Sequence, residues 1–92
     1  LVLVPAPDYK GIVDILKIHT KKMTLSEDVN LEKIAKKMKG MTGAEIRAVC
    51  VEAGYFAIRK NGVMVKHDNF LKSVEKIKIE ETERIKDLSY LG

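Results

Sequence analysis

Tryptophan is missing from this 92-residue chain, and its aromatic set amounts to two Phe and three Tyr. A core built from such a sequence must rely on Ile, Leu, Val, Met and Ala, a mixture that suits helices. One cysteine, Cys50, leaves no internal disulfide to make, and its place on an apolar stripe reads as a small core residue in a reducing compartment. The two prolines, Pro5 and Pro7, both precede the first helical pattern, so nothing later in the chain breaks a helix by ring geometry. No apolar run approaches the roughly 18 residues of a membrane span. Leu1 to Val4 is too short for the apolar core of a secretory signal. These shortages exclude a disulfide scaffold and a membrane-spanning helix, and they point to a cytoplasmic setting.

What is present is charge and aliphatic periodicity. Charged residues make up 33% of the chain and the net charge is +4, with a pI near 9.2. The lysines are mostly interleaved with Glu and Asp, as on a solvated surface. The length is that of one domain with a modest core. The chain opens without Met on Leu1-Val2-Leu3-Val4, apolar and partly β-branched, which reads as a fragment whose last strand belonged to a larger domain.

Along the chain, Asp8 can cap a helix on which Ile12, Ile15, Leu16, His19 and Met23 share one face. Ser26 to Asn30 forms a polar connector, and either Asn30 or Asp28 can cap a short helix with Leu31, Ile34, Ala35 and Met38 inward. Gly40 closes it. Thr42 and Glu45 then form a capping box for a long helix from Gly43 to about Lys60, with Ile46, Val49, Cys50, Ala53 and Ala57 as its inner face. Asn61-Gly62 ends that helix with residues that tolerate positive φ. Residues 63–65 are a very short extended segment. A fourth helix begins near His67 or Asp68 with Phe70, Val74 and Ile77 buried. Beyond Ile79 the highly charged 80–87 stretch either prolongs this helix into solvent or frays, and fraying is expected. The fold class is therefore all-α, a small four-helix domain. The expected organisation is 1–8 as strand end and Pro-containing hinge, 9–79 as the helical domain, and 80–92 as a charged, partly flexible tail.

No catalytic set is visible. A Gly-x-x-x-x-Gly-Lys-Ser/Thr phosphate loop is absent, no Ser or Cys nucleophile is arranged with a base, and no His/Cys/Asp cluster has metal spacing. By itself this chain is not expected to be an enzyme. His19 is the one titratable group on the inner face of the first helix, and its ordinary role would be that of a core-edge histidine hydrogen-bonded to backbone. Arg47 reads as a surface charge.

The run Gly40-Met41-Thr42-Gly43-Ala44-Glu45-Ile46, with Glu52-Ala53 and Ala57-Ile58-Arg59 downstream and Pro5-Ala6-Pro7-Asp8 and Ile15-Leu16-Lys17-Ile18-His19-Thr20 upstream, resembles the helical lid domain of AAA ATPases. Within that family it is similar to the archaeal proteasome-activating nucleotidases and the eukaryotic proteasomal regulatory ATPases, from about Val4 to Ile77. The resemblance implies half of an ATP/ADP site, with Mg held by an absent large domain. The residues matching Ile15, His19, Gly43 and Ala44 would contact the nucleotide. Ala44 stands where other AAA+ proteins carry a sensor arginine, and Ile12 stands where relatives usually have Arg. The implied partners are the large domain of the same chain, neighbouring subunits of a hexameric ring, the proteasome core particle and unfolded protein substrates. Tyr90, Leu91 and Gly92 resemble a proteasome-docking tail, although Tyr90 is one place further from the end than in relatives. The fourth helix lacks the Thr-x-x-Asp box of relatives at Lys66-His67-Asp68-Asn69, so its start is expected to be weaker. Two alternatives stay open: a small basic helical module for nucleic acid, disfavoured by Glu45 and Glu52 on the third helix, and the lid of an AAA unfoldase not dedicated to the proteasome.

Overall fold

The computed structural model describes residues 6–59, 62 and 64–89. Among them lie four α-helices: α1 Tyr9–Thr20, α2 Leu31–Lys37, α3 Gly43–Arg59 and α4 His67–Ser89. The all-α expectation holds. α3 lies at the centre, packed against α4 on one side and α1 on the other, while α2 bridges α1 and α4.

Local chemistry fixes most helix starts. The Asp8 carboxylate accepts from the Gly11 amide at 2.8 Å and opens α1. Asn30, rather than Asp28, caps α2, its Oδ1 accepting from the Lys33 amide at 3.1 Å. At α3 the capping box is complete: the Glu45 amide donates to Thr42 Oγ1 at 3.2 Å and the Thr42 amide donates to Glu45 Oε1 at 3.1 Å. Gly40, in the turn that separates α2 from α3, has φ +88°, the conformation for which glycine is suited. After α3 the chain makes a close approach at Gly62: its amide donates to the Ala57 carbonyl at 2.8 Å, and an added Cβ would meet that same oxygen at 3.0 Å. Asn61 lies outside the described residues.

The start of α4 is held from a distance. The Asn69 carboxamide accepts from the Lys66 amide at 2.7 Å. The His67 amide donates to Asp28 Oδ1 at 3.4 Å, and in return the Asn30 amide donates to His67 Nδ1 at 3.3 Å. Asp28, passed over as a cap for α2, thus serves α4, where it also accepts from the Ser26 hydroxyl. Beside this contact Leu25 and Val65 form an isolated parallel bridge, with the Ser26 amide donating to the Val65 carbonyl at 2.9 Å and the Val65 amide to the Thr24 carbonyl at 2.8 Å. The extended segment expected near 63–65 therefore pairs through Val65 with the connector ahead of α2.

The core is aliphatic with one ring. Leu16, Ile34, Met38, Ile46, Val49 and Phe70 are fully buried between the helices. Two hydroxyls inside it are satisfied by the helix turn before them, Thr20 by the Leu16 carbonyl and Ser73 by the Asn69 carbonyl, each at 2.7 Å. α1 ends before Met23, which still packs against the core from the following turn. α4 runs on to Ser89 without a break, past Ile79 where fraying was expected. Its 23 residues span about 34 Å at the α-helical rise. Residues 78–80 and 82–84 are exposed, so this stretch of the helix lies outside the core.

Candidate functional site

The four residues singled out for a ligand sit on α1 and on the first turn of α3. Ile15 is half-buried and packs against the core from the inner face of α1. One turn later, His19 is also half-buried, and it lines a groove of about 270 Å³ with Met23, Arg47, Cys50, Val51 and Gly54. The expected backbone partner for its imidazole is not there. Among the described residues His19 makes no hydrogen bond, and neither ring nitrogen is a buried orphan. The ring is thus half-buried at the groove, with neither nitrogen sealed from solvent.

Gly43 belongs to the same side of α3. It falls with Arg47, Cys50 and Gly54 at i, i+4, i+7 and i+11, a single helical stripe, and the last three residues of that stripe form the groove wall opposite His19. Nothing in the domain requires a glycine at position 43. An added Cβ would have no atom within 4 Å, and the backbone has no positive φ there. Ala44 is turned about 100° from Gly43 around the helix axis. It is exposed and opens onto a neighbouring cleft of about 420 Å³ between the start of α3 and the outer half of α4, lined also by Ala48, Ile77 and Glu80. The structure therefore brings His19 to one groove with Arg47, Cys50 and Gly54, which continue the stripe of Gly43, while Gly43 itself does not line that groove and Ala44 lines the neighbouring cleft.

Arg47 is the residue that sequence reasoning set aside. Its i+4 relation to Gly43 was visible in the sequence, but its position beside His19 depends on how α1 crosses α3. Cys50 lies beneath the groove, and burial pushes its thiol up from 9.0 to about 11. It is a packing residue, kept protonated at neutral pH. Among the described residues no three His, Cys, Asp or Glu side chains come together as a metal site. Tyr90, Leu91 and Gly92 lie outside the described residues.

A small four-helix domain whose central helix opens on a Gly-Ala pair behind a capping box has the architecture of an AAA+ lid. The family model described as "AAA+ lid domain" matches residues 28–72, and the chain belongs to that family. More particularly, the chain is similar over nearly all its length to proteasome-activating nucleotidases. It is 52% identical over 91 residues to the one from Methanocaldococcus jannaschii, covering 99% of this chain and 21% of the relative. With that of Methanopyrus kandleri it shares 49% identity over 74 residues, 80% of this chain and 17% of the relative. The 26S proteasome regulatory subunit 8 of Caenorhabditis elegans is 44% identical over 80 residues, 87% of this chain and 19% of the relative. The chain spans about a fifth of the length of these curated relatives.

Proposed function

We propose that this chain is the lid of a ring-forming AAA ATPase and that it completes the nucleoside side of the ATP site through Ile15, His19, Gly43 and Ala44. One observation carries the reading: among the described residues His19 has no hydrogen-bond partner, and it lines a groove whose opposite wall continues the stripe of Gly43, a glycine that neither packing nor φ requires. Ile15 supplies apolar contact, His19 a polar contact near the ribose, and Gly43 and Ala44 a bare backbone against the base. The capping box occupies the Glu45 amide, and the Gly43 and Ala44 amides, in the first turn, have no intrahelical acceptor. A polar, electron-rich ligand fits such a turn. ATP, when bound with Mg held by the large domain, supplies the phosphoryl bond whose hydrolysis drives the ring, and this chain contributes binding and orientation.

In this reading residues 1–8 form the hinge, with Pro5 and Pro7 stiffening its direction. Residues 9–79 move as one body when nucleotide binds or leaves and press on the neighbouring subunit's large domain. Residues 80–92 form the tail. Likeness to proteins named proteasome-activating nucleotidase and 26S proteasome regulatory subunit supports a hexamer that unfolds proteins in the cytoplasm and passes them to the proteasome core particle. Tyr90, Leu91 and Gly92 would dock there, with the one-residue offset of Tyr90 weakening capture of the terminal carboxylate.

Two substitutions at one position test the nucleotide site. Gly43→Ala should leave the domain folded, because the added Cβ meets open space. Gly43→Val in the full-length protein should weaken ADP binding at least tenfold by steric exclusion, a change of about 1.4 kcal/mol. His19→Ala should weaken it by about 1 kcal/mol, the size of an ordinary hydrogen bond. ADP affinity measured by calorimetry and left unchanged in folded Gly43→Val would remove this turn from the site.

A further inference from the structure

α3 carries four charged side chains, and three of them are engaged within the domain. The Glu45 carboxylate accepts from the Thr42 amide. Glu52 pairs across to Lys76 at 2.8 Å. The Arg59 guanidinium lies 5.7 Å from the centre of the Phe56 ring. Arg47 is the exception: among the described residues it has no hydrogen bond, ion pair or ring contact. It is also exposed, and it lines the groove that holds His19. Helical side chains lean toward the N-terminus, so a residue covers the surface over the turn before its own Cα. For Arg47 that turn is the one of Gly43. The guanidinium can therefore extend from the groove it shares with His19 toward the bare backbone of Gly43.

We propose that Arg47 is a further nucleotide-contacting residue, its planar guanidinium lying against the purine base in the groove between His19 and the Gly43 turn. This rests on the nucleotide site proposed above. A guanidinium stays charged at every physiological pH, stacks flat on aromatic rings, and keeps its planar shape where an ammonium offers a hydrated point charge. The wall beneath it suits a flat ring: Cys50 is buried and uncharged, Gly54 has no side chain, and Val51 is apolar. No carboxylate lines the groove to compete for the cation.

The test is calorimetric titration of ADP into the full-length protein carrying Arg47→Gln, Arg47→Lys or Gly43→Val, each checked for parental melting temperature. The proposal expects Arg47→Gln to raise the Kd about fivefold. Arg47→Lys should fall with Gln rather than with the parent, because the charge is kept and the planar face is lost. Binding within twofold of the parent in Arg47→Gln overturns the contact. Parental binding in Arg47→Lys, with weak binding in Arg47→Gln, overturns the stacking and leaves a charge effect in its place. Gly43→Val separates the two levels. If it loses ADP while Arg47→Gln does not, the Arg47 contact alone fails. If both bind as the parent does, the nucleotide site itself is misplaced and the Arg47 proposal falls with it.

Discussion

At the scale of single residues, Cys50 shows how burial alone decides what a reactive group can do. Its thiol lies in the α3 inner face, 3% exposed, and desolvation raises its pKa from 9.0 to about 11. In the unfolded chain the thiol ionises near its ordinary value, while in the folded chain it keeps its proton to higher pH. Folding then binds the proton more tightly, so the contribution to stability is complete below pH 9 and is lost as pH rises toward about 11. Urea titrations at pH 8, 9, 10 and 11 should show the parent losing stability more steeply across the upper part of that range than Cys50→Ala, whose unfolding has no thiol to ionise. Parallel slopes would mean the thiol is not held in an apolar setting. His19, half-buried at the edge of a groove and without a hydrogen-bond partner among the described residues, is the contrasting case of a polar group that the fold shields in part without satisfying.

At the scale of elements, the helix starts divide into those written locally and those written across the chain. The α3 box is local: Thr42 and Glu45 are three residues apart and each satisfies the other's amide. Thr42→Ala should cost about 1 kcal/mol, read as a lower urea midpoint with an unchanged m-value. The α4 start is not local. Lys66-His67-Asp68-Asn69 looks weak when read alone, because Asp28, which accepts from the His67 amide, lies 39 positions earlier. Asp28→Ala should therefore destabilise α4 although it lies on no helix. Hydrogen exchange at the His67 amide would speed up in that variant, and unchanged exchange would show that Asn69 alone suffices. The same division explains what the sequence made legible. Apolar spacing and caps marked α1, α2 and α3 closely, and the inner positions of α3 are the buried ones. The Leu25 to Val65 bridge, the Asp28 to His67 exchange and the placement of Arg47 and His19 on one groove all depend on tertiary placement, which spacing along one helix does not encode. For the outer part of α4 the charged sequence allowed either a helix prolonged into solvent or a frayed end, and the helix continues to Ser89. Arg84 pairs with Glu81 at 3.0 Å and Thr82 bonds back to the Lys78 carbonyl at 3.0 Å, both within the helix.

At the scale of the whole molecule, α3 has apolar residues on two opposite sides. Its inner side fills the core, and its outer side presents Val51, Tyr55 and Ile58 at i, i+4 and i+7, exposed by 48%, 52% and 68%. An exposed apolar stripe on a helix whose other apolar side already fills the core is the kind of surface that another body covers. In the proposed ring that covering surface is the neighbouring subunit. The domain and the assembly should then respond oppositely to the same change. Tyr55→Glu combined with Ile58→Glu alters side chains already in solvent, so the 92-residue chain should keep its urea midpoint, with a change within about 0.5 kcal/mol for each site. In the full-length protein the same pair would bury two carboxylates against an apolar neighbour without partners, a cost of several kcal/mol. Sedimentation velocity should show the hexamer giving way to smaller species at micromolar concentration, with ATP turnover falling in step. A double variant that sediments as the parent ring does would show that the outer stripe of α3 faces solvent in the assembly, and the subunit contact would have to be sought on another face of the lid.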